Sequence, residues 1–254
     1  MARPSRHRAA AYHLTIGLCI VLATLAAMLF AWYPDPYFYA MGARGLVLIM
    51  LAVDVTLGPL LTWIIFGPTK PLHLLRLDLA IIVTLQLCAL AYGIHVFAQA
   101  RPVFVLFVRD RFEVATADDI TPGKLAAAQP QFRSVPWWGG PRLAAAVVPL
   151  NPDEQLEVMM SGLGGADLKT FPKYYVSYDA MIHDVKLKAK PLAVLRTRHP
   201  EAAGVLSRAI ARTGLPESGL RFLPLRGGKQ DMSVLIDAAT GRIAGFARVD
   251  PWVS

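Results

Sequence analysis

The sequence predicts a membrane protein, with three transmembrane α-helices followed by a small α+β extracytoplasmic domain built on an antiparallel sheet. Three observations carry this expectation. Hydrophobic residues make up 55 % of the 254 residues, charged residues only 17 %, and mean hydropathy is +0.43. Ordinary soluble domains hold about 45–50 % and 25 %. Most of the apolar excess lies before residue 100, in three long runs. Beyond it, short β-rich and helix-like stretches alternate with turn residues. So apolar a chain is not predominantly disordered, because it can bury ample hydrophobic surface.

The first run, Leu14 to Trp32, has 19 residues without a charge. About 20 are needed to cross the hydrocarbon core. A signal peptide would have a shorter apolar core of about 7–15 residues and a small-residue cleavage site. Here the run ends in Ala-Trp-Tyr-Pro, with Trp32 and Tyr33 as interfacial aromatics, so a retained helix is expected. The second run, Gly45 to Phe66, contains one acid, Asp54, and one proline, Pro59. The third, Leu79 to Ala98, carries Gln86 and His95 as its main polar residues.

Orientation follows the positive charges of the short loops. Arg3, Arg6 and Arg8 precede the first span, and Lys70 and Arg76 lie between the second and third. Only Arg44 lies between the first and second. The N-terminus and second loop are therefore expected in the cytoplasm of a bacterium and residues 100–254 in the periplasm. The organisation reads as a basic stretch over 1–13, a three-helix inner-membrane region over 14–99 and a periplasmic domain over 100–254.

Within that domain, Pro102–Val108 reads as a strand with Arg111–Ala115 as its neighbour, and Arg142–Leu150 as another. Asn151-Pro152-Asp153-Glu154 opens a helix, with Asn as cap and Pro at the first position. That helix is expected to stop at Gly162, Gly164 and Gly165. His199-Pro200-Glu201 opens a second helix, closed by Gly214. Strands follow at Leu220–Leu225, Met232–Ile236 and Ile243–Val249, the last two joined by a Gly-containing turn at Asp237–Gly241.

The charge pattern points away from nucleic acid. From Arg101 onward there are 20 Lys+Arg and 15 Asp+Glu, within an overall net charge of +8. The only basic cluster is Lys186, Lys188, Lys190, Arg196 and Arg198, where a duplex-binding domain needs a concentrated basic face. Both cysteines, Cys19 and Cys88, fall inside apolar runs, so the soluble part has neither disulfides nor thiolate metal sites. No HExxH, CxxC, Walker A, G-x-G-x-x-G or G-x-S-x-G motif occurs. We therefore expect no catalytic residues, cofactor, metal or small-molecule substrate.

Asp54 is the most informative residue, since an ionised carboxylate in mid-membrane costs a few kcal/mol or more unless paired or protonated. Asp54, Gly58 and Thr62 recur at i, i+4 and i+8 and share a helix face, and small and polar residues on one face are what helix–helix contacts in lipid use. Pro59 is placed to kink the helix. On the third span, Gln86 and Gly93 share one face and Thr84, Cys88, Ala91 and His95 another. These faces serve either packing among the protein's own helices or docking of a foreign one. Trp137 and Trp138, framed by Pro136 and Pro141, form a loop suited either to contact with a partner or membrane surface or to capping the core.

Several segments together resemble one family. They are Trp32-Tyr33-Pro34, Val53-Asp54-Val55-Thr56-Leu57-Gly58-Pro59-Leu60-Leu61-Thr62, Arg76-Leu77-Asp78-Leu79, Ala91-Tyr92-Gly93, Arg101-Pro102-Val103, Asp110-Arg111-Phe112, and the terminal Asp237, Thr240-Gly241 and Asp250-Pro251-Trp252. In order and spacing they resemble the type IV pilin accessory proteins of the TfpX/TfpZ group. The resemblance covers nearly the whole chain, best through 14–112 and at the C-terminus. It implies a non-catalytic inner-membrane protein that assists type IV pilus assembly by binding or stabilising the pilin subunit, in possible company with the assembly machinery. The alternative from the residues alone is an envelope sensor or small transport component using Asp54, and a hydrolase in the soluble domain is a third.

Overall fold

The computed structural model describes residues 5–67, 69–163 and 167–252. The chain divides into two compact units, one of Met1–Ala31 and Ala43–Gln99, the other of Trp32–Gly42 and Ala100–Ser254.

The first unit is three helices, each long and apolar enough to cross a membrane: α1 (Arg6–Trp32), α2 (Ala43–Ile65) and α3 (Leu72–Ala100). α1 and α3 begin well before their apolar runs because Arg6, Arg8 and Arg76 are good helix formers that continue a helix past its apolar stretch. α2 is not uniform. Ala43–Leu51 and Gly58–Ile65 are α-helical, and Ala52–Leu57 between them widens into a π turn. Pro59 explains the change of registry, since it has no N–H to continue either ladder.

The second unit is a sheet with helices packed on it. Its strands are β1 (Pro102–Val108), β2 (Arg111–Thr116), β3 (Arg142–Ala146), β4 (Tyr175–Val176), β5 (Lys190–Pro191), β6 (Leu220–Arg226), β7 (Met232–Asp237) and β8 (Ile243–Ala247). They run in the order β4-β3-β1-β2-β6-β7-β8, with β5 also pairing β6. The expectation of an antiparallel sheet is corrected: the sheet is mixed, because β1 pairs with β3 and β2 with β6 in parallel. The physical sign was present in β1. Its run PVFVLFV does not alternate, and every residue of it is buried, as a strand covered on both faces requires.

Asn151 caps α4 (Pro152–Leu163), its side-chain oxygen accepting the Asp153 N–H at 2.8 Å. That helix runs past Gly162, and the expected stops at Gly164 and Gly165 lie outside the described residues. Two short helices, α5 (Ile182–Lys188) and α6 (Leu192–Arg198), were not anticipated. The helix opened at Pro200 begins as a single tight turn and continues as α7 (Ala203–Thr213), which ends at Gly214 with φ +69°. In the core, Phe104, Phe132 and Tyr175 meet edge to face.

Residues 32–42, between the first two helices, are built into this second unit. Tyr37–Ala40 forms one helical turn. Ala40 is fully buried in the core cluster of Val105, Phe107, Val114 and Val234. Its carbonyl accepts the N–H groups of Lys229 and Gln230, both at 3.1 Å. Tyr37 packs edge-on to Phe246, and Arg248 bonds Asp35 at 2.7 Å. Gly227 makes the approach possible, since a Cβ there would stand 2.5 Å from the Ala40 oxygen. Gly227→Val should therefore displace the 37–40 turn. Limited proteolysis in detergent should reveal it as new cleavage within 33–42, absent from the wild type.

Candidate functional site

Polar residues from all three helices of the first unit meet at one point. His13 of α1 sits between the other two helices, its Nδ1 2.6 Å from the Thr62 hydroxyl and its Nε2 2.5 Å from the Gln86 side-chain oxygen. The Gln86 amide nitrogen then donates to the main-chain oxygen of Asp54 at 3.1 Å. The donors and acceptors assign the histidine tautomer. Gln86 offers His13 an oxygen, so Nε2 carries the proton and Nδ1 accepts from Thr62.

The local chain explains why Asp54 needs that amide. In the π registry its carbonyl would be met five residues on, at Pro59, which has no N–H. Gly58 leaves the room, because a Cβ there would lie 1.9 Å from the Gln86 nitrogen. Asp54, Gly58 and Thr62 are all buried. Of the two candidate faces of α3, the one with Gln86 turns inward, while Thr84, Cys88, Ala91 and His95 are exposed. Gly93 lies further along, with its Cβ position 3.5 Å from Met50 Sδ. Sequence reasoning missed His13, whose partners stand 49 and 73 residues away and give no local signal.

The carboxyl of Asp54 is a different matter from its main chain. The residue is 4 % exposed, and among the described residues no hydrogen bond reaches its side-chain oxygens. Two clefts meet at Asp54. One, of about 220 Å³, is walled by Ile16, Gly17, Ile20, Val83, Leu87 and Leu90. The other, of about 400 Å³, is walled by Leu46, Met50, Val53, Tyr92, Gly93 and Phe97. Both are largely apolar troughs with one acid in the floor, the first bounded also by His13 and Gln86, and suit an apolar segment that carries a hydrogen-bond donor.

The second unit adds two features. The Trp137–Trp138 loop neither caps the core nor floats free. Trp137 is 53 % and Trp138 66 % exposed, yet the Trp137 carbonyl accepts the Trp32 indole N–H at 2.9 Å. A cleft of about 490 Å³ separately runs between β2 and α4, with Val158 and Met159 on one wall, Arg109, Arg111 and Arg226 at its rim and Glu113 within. Glu113 is buried, and burial raises its pKa above the usual carboxylate value of 4.5. Asp167 adds to the rise, and Arg226, Arg111 and Lys169 only partly oppose it. No group of three or more His, Cys, Asp or Glu with metal-binding geometry occurs among the described residues.

Comparison with known proteins gives a consistent signal. Residues 3–42 match the family described as fimbrial assembly protein FimB. Over 181 residues the chain is 34 % identical to the fimbrial assembly protein, serogroup I, of Dichelobacter nodosus, covering 71 % of this chain and 70 % of that protein. The serogroup E1 protein of the same organism matches equally, and the protein of serogroups C1 and C2 is 34 % identical over 116 residues. No solved structure matches the chain.

Two outcomes follow from the geometry. Gly58→Ala should destabilise the helical unit by about 1–3 kcal/mol through overpacking. Combining it with Gln86→Ala should recover part of that loss, which thermal unfolding in detergent, arranged as a double-mutant cycle, reads directly. For Glu113 the raised native pKa means that stability is fullest below the unfolded value and falls as pH rises through the native one. Glu113→Gln should therefore stabilise the protein at neutral pH, and the gain should vanish in melts taken below the usual carboxylate range.

Proposed function

Because the chain belongs to the fimbrial assembly protein family, the group its span and loop motifs resemble, we propose that it assists type IV pilus assembly from the bacterial inner membrane by holding the pilin subunit. The observation that carries this reading is the trough at Asp54, where a buried acid without a hydrogen bond to its carboxyl among the described residues faces mostly apolar walls. A subunit with an apolar helix could lie in the trough while its soluble part meets the second unit. Putting a donor against the carboxyl relieves the desolvation of an unpaired acid.

The membrane reading is supported by what the helices leave outside. Ile81, Val83, Leu85 and Leu87 of α3 are all exposed, as are Ile16, Ile20, Leu22 and Phe30 of α1. So large an apolar surface is untenable in water and suits lipid. The topology is supported independently. Residues 32–42 and the segment after α3 pack into one unit, and three crossings put those two segments on the same side. The loop charges favour the periplasm for that side.

A proton-moving role is less well supported. The hydrogen-bond chain from Thr62 through His13 and Gln86 ends on the main-chain oxygen of Asp54, which does not take up a proton. The carboxyl itself stands outside that chain.

The test is in vivo photocrosslinking in piliated cells, with the crosslinker at Ile16 or Leu87 on the trough wall. Pilin should be the dominant adduct, and Asp54→Leu should reduce it at least several-fold while leaving the amount of folded protein unchanged. An unchanged pilin yield in Asp54→Leu would remove the trough from the contact. Gly58→Leu is unsuitable for this purpose, since it would break the Gln86 seat.

A further inference from the structure

We propose that the Pro136–Pro141 loop is a lipid-interface anchor, with Trp138 inserted at the boundary between headgroups and acyl chains. The proposal rests on the reading that α1 and α3 cross the membrane, and goes beyond it in assigning a surface of the second unit to lipid.

Two chain positions mark the edge of the apolar helices. Trp32 closes α1, directly after Ala31, and Arg101 follows the last residue of α3. Both are fastened to this loop. The Trp32 indole N–H donates to the Trp137 carbonyl at 2.9 Å, and the two rings meet edge-on at 5.7 Å and 77°. The Arg101 guanidinium stacks on the Trp137 ring at 4.6 Å and reaches the Trp32 ring at 5.9 Å. Pro34 seals the other side, since a Cβ on Gly140 would stand 2.6 Å from its Cγ. Gly139 and Gly140, at φ +87° and +79°, give the loop the tight return that such seating needs. Whatever Trp32 touches lies within a side chain's length of the end of the span. The loop is thus fastened to the residues where the chain leaves α1 and enters the second unit after α3.

Trp138 is the part left over. It is 66 % exposed and makes no hydrogen bond or ring contact among the described residues. An indole combines a large apolar body with one N–H donor, which is why tryptophan collects at membrane interfaces. Trp32 has given its N–H to the protein, whereas Trp138 keeps its own for a headgroup or interfacial water. Lipid is favoured over a protein partner for the exposed ring because its neighbour Trp137 is tied to Trp32 and Arg101, the residues that adjoin the ends of the apolar helices.

The experiment is site-directed spin labelling of the full chain in vesicles of phosphatidylethanolamine and phosphatidylglycerol. Cys19 and Cys88 are first changed to serine. Nitroxides are then placed by Trp138→Cys, by Leu150→Cys at a site 95 % exposed in the second unit, and by Leu85→Cys at one 59 % exposed on α3. Collision with oxygen reports lipid, and collision with a nickel chelate reports water. The label at 138 should meet nickel several-fold less than the label at 150 while meeting oxygen freely. Nickel access at 138 equal to that at 150, with 85 shielded, overturns the anchor and spares the membrane reading. Nickel access at 85 overturns the membrane reading and the anchor with it. Shielding of 138 from both reagents means a protein contact and also overturns the anchor.

Discussion

A single side-chain amide joins the three apolar helices. Gln86 gives its oxygen to His13 and its N–H to the Asp54 carbonyl, so one residue of α3 reaches both of the other helices. Each neighbour in the sequence of α2 serves that contact. Pro59 leaves the carbonyl without its main-chain donor, and Gly58 clears the space through which the amide reaches it. In an apolar surrounding an unmet carbonyl is costly, so the amide fixes the register of α2 against α3. It also divides the roles of Asp54: the main chain is used structurally, and the carboxyl is left for something else.

The second unit solves a different problem. Its central strand, β1, is apolar at every position and buried on both faces, so it needs cover from both sides. Aromatic packing around Phe104 and Tyr175 supplies one cover, and part of the other comes from the 37–40 turn. That turn enters through two N–H bonds to Ala40 and a gap at Gly227. Removing residues 32–42 would uncover part of the face that Val105 and Phe107 present.

Much of the architecture was legible because its signals are local. The three apolar runs, the Asn151 cap, the Gly214 stop and the Asp237–Gly241 turn each depend on a few adjacent residues, and the helices and strands next to them stand where those residues put them. What was hidden is what depends on distant pairing. Nothing near β1 states that β3 lies parallel to it, although the lack of alternation hinted at two covered faces. His13 gave no signal because its partners lie on other helices. Asp54, Gly58 and Thr62 could be grouped by helical spacing. The split between the carbonyl and the carboxyl of Asp54 could not, since it depends on a π turn that only the proline suggests. The raised pKa of Glu113 was invisible for a similar reason, because the burial and the Asp167 charge that cause it come from beyond its own strand.

The inclusion of residues 32–42 in the second unit also bears on the order in which the protein matures. A chain is made from its N-terminus, and domains fold largely as they emerge. Here one piece of the domain is delivered after the first helix and the remainder only after the third. Until the third helix is in place, the early piece has no core to join, and the late strands lack one of their walls. On the membrane reading proposed above, completion of this fold doubles as a proofreading step on insertion: a chain threaded with the wrong number of crossings would strand the two pieces on opposite faces and be left open to proteolysis.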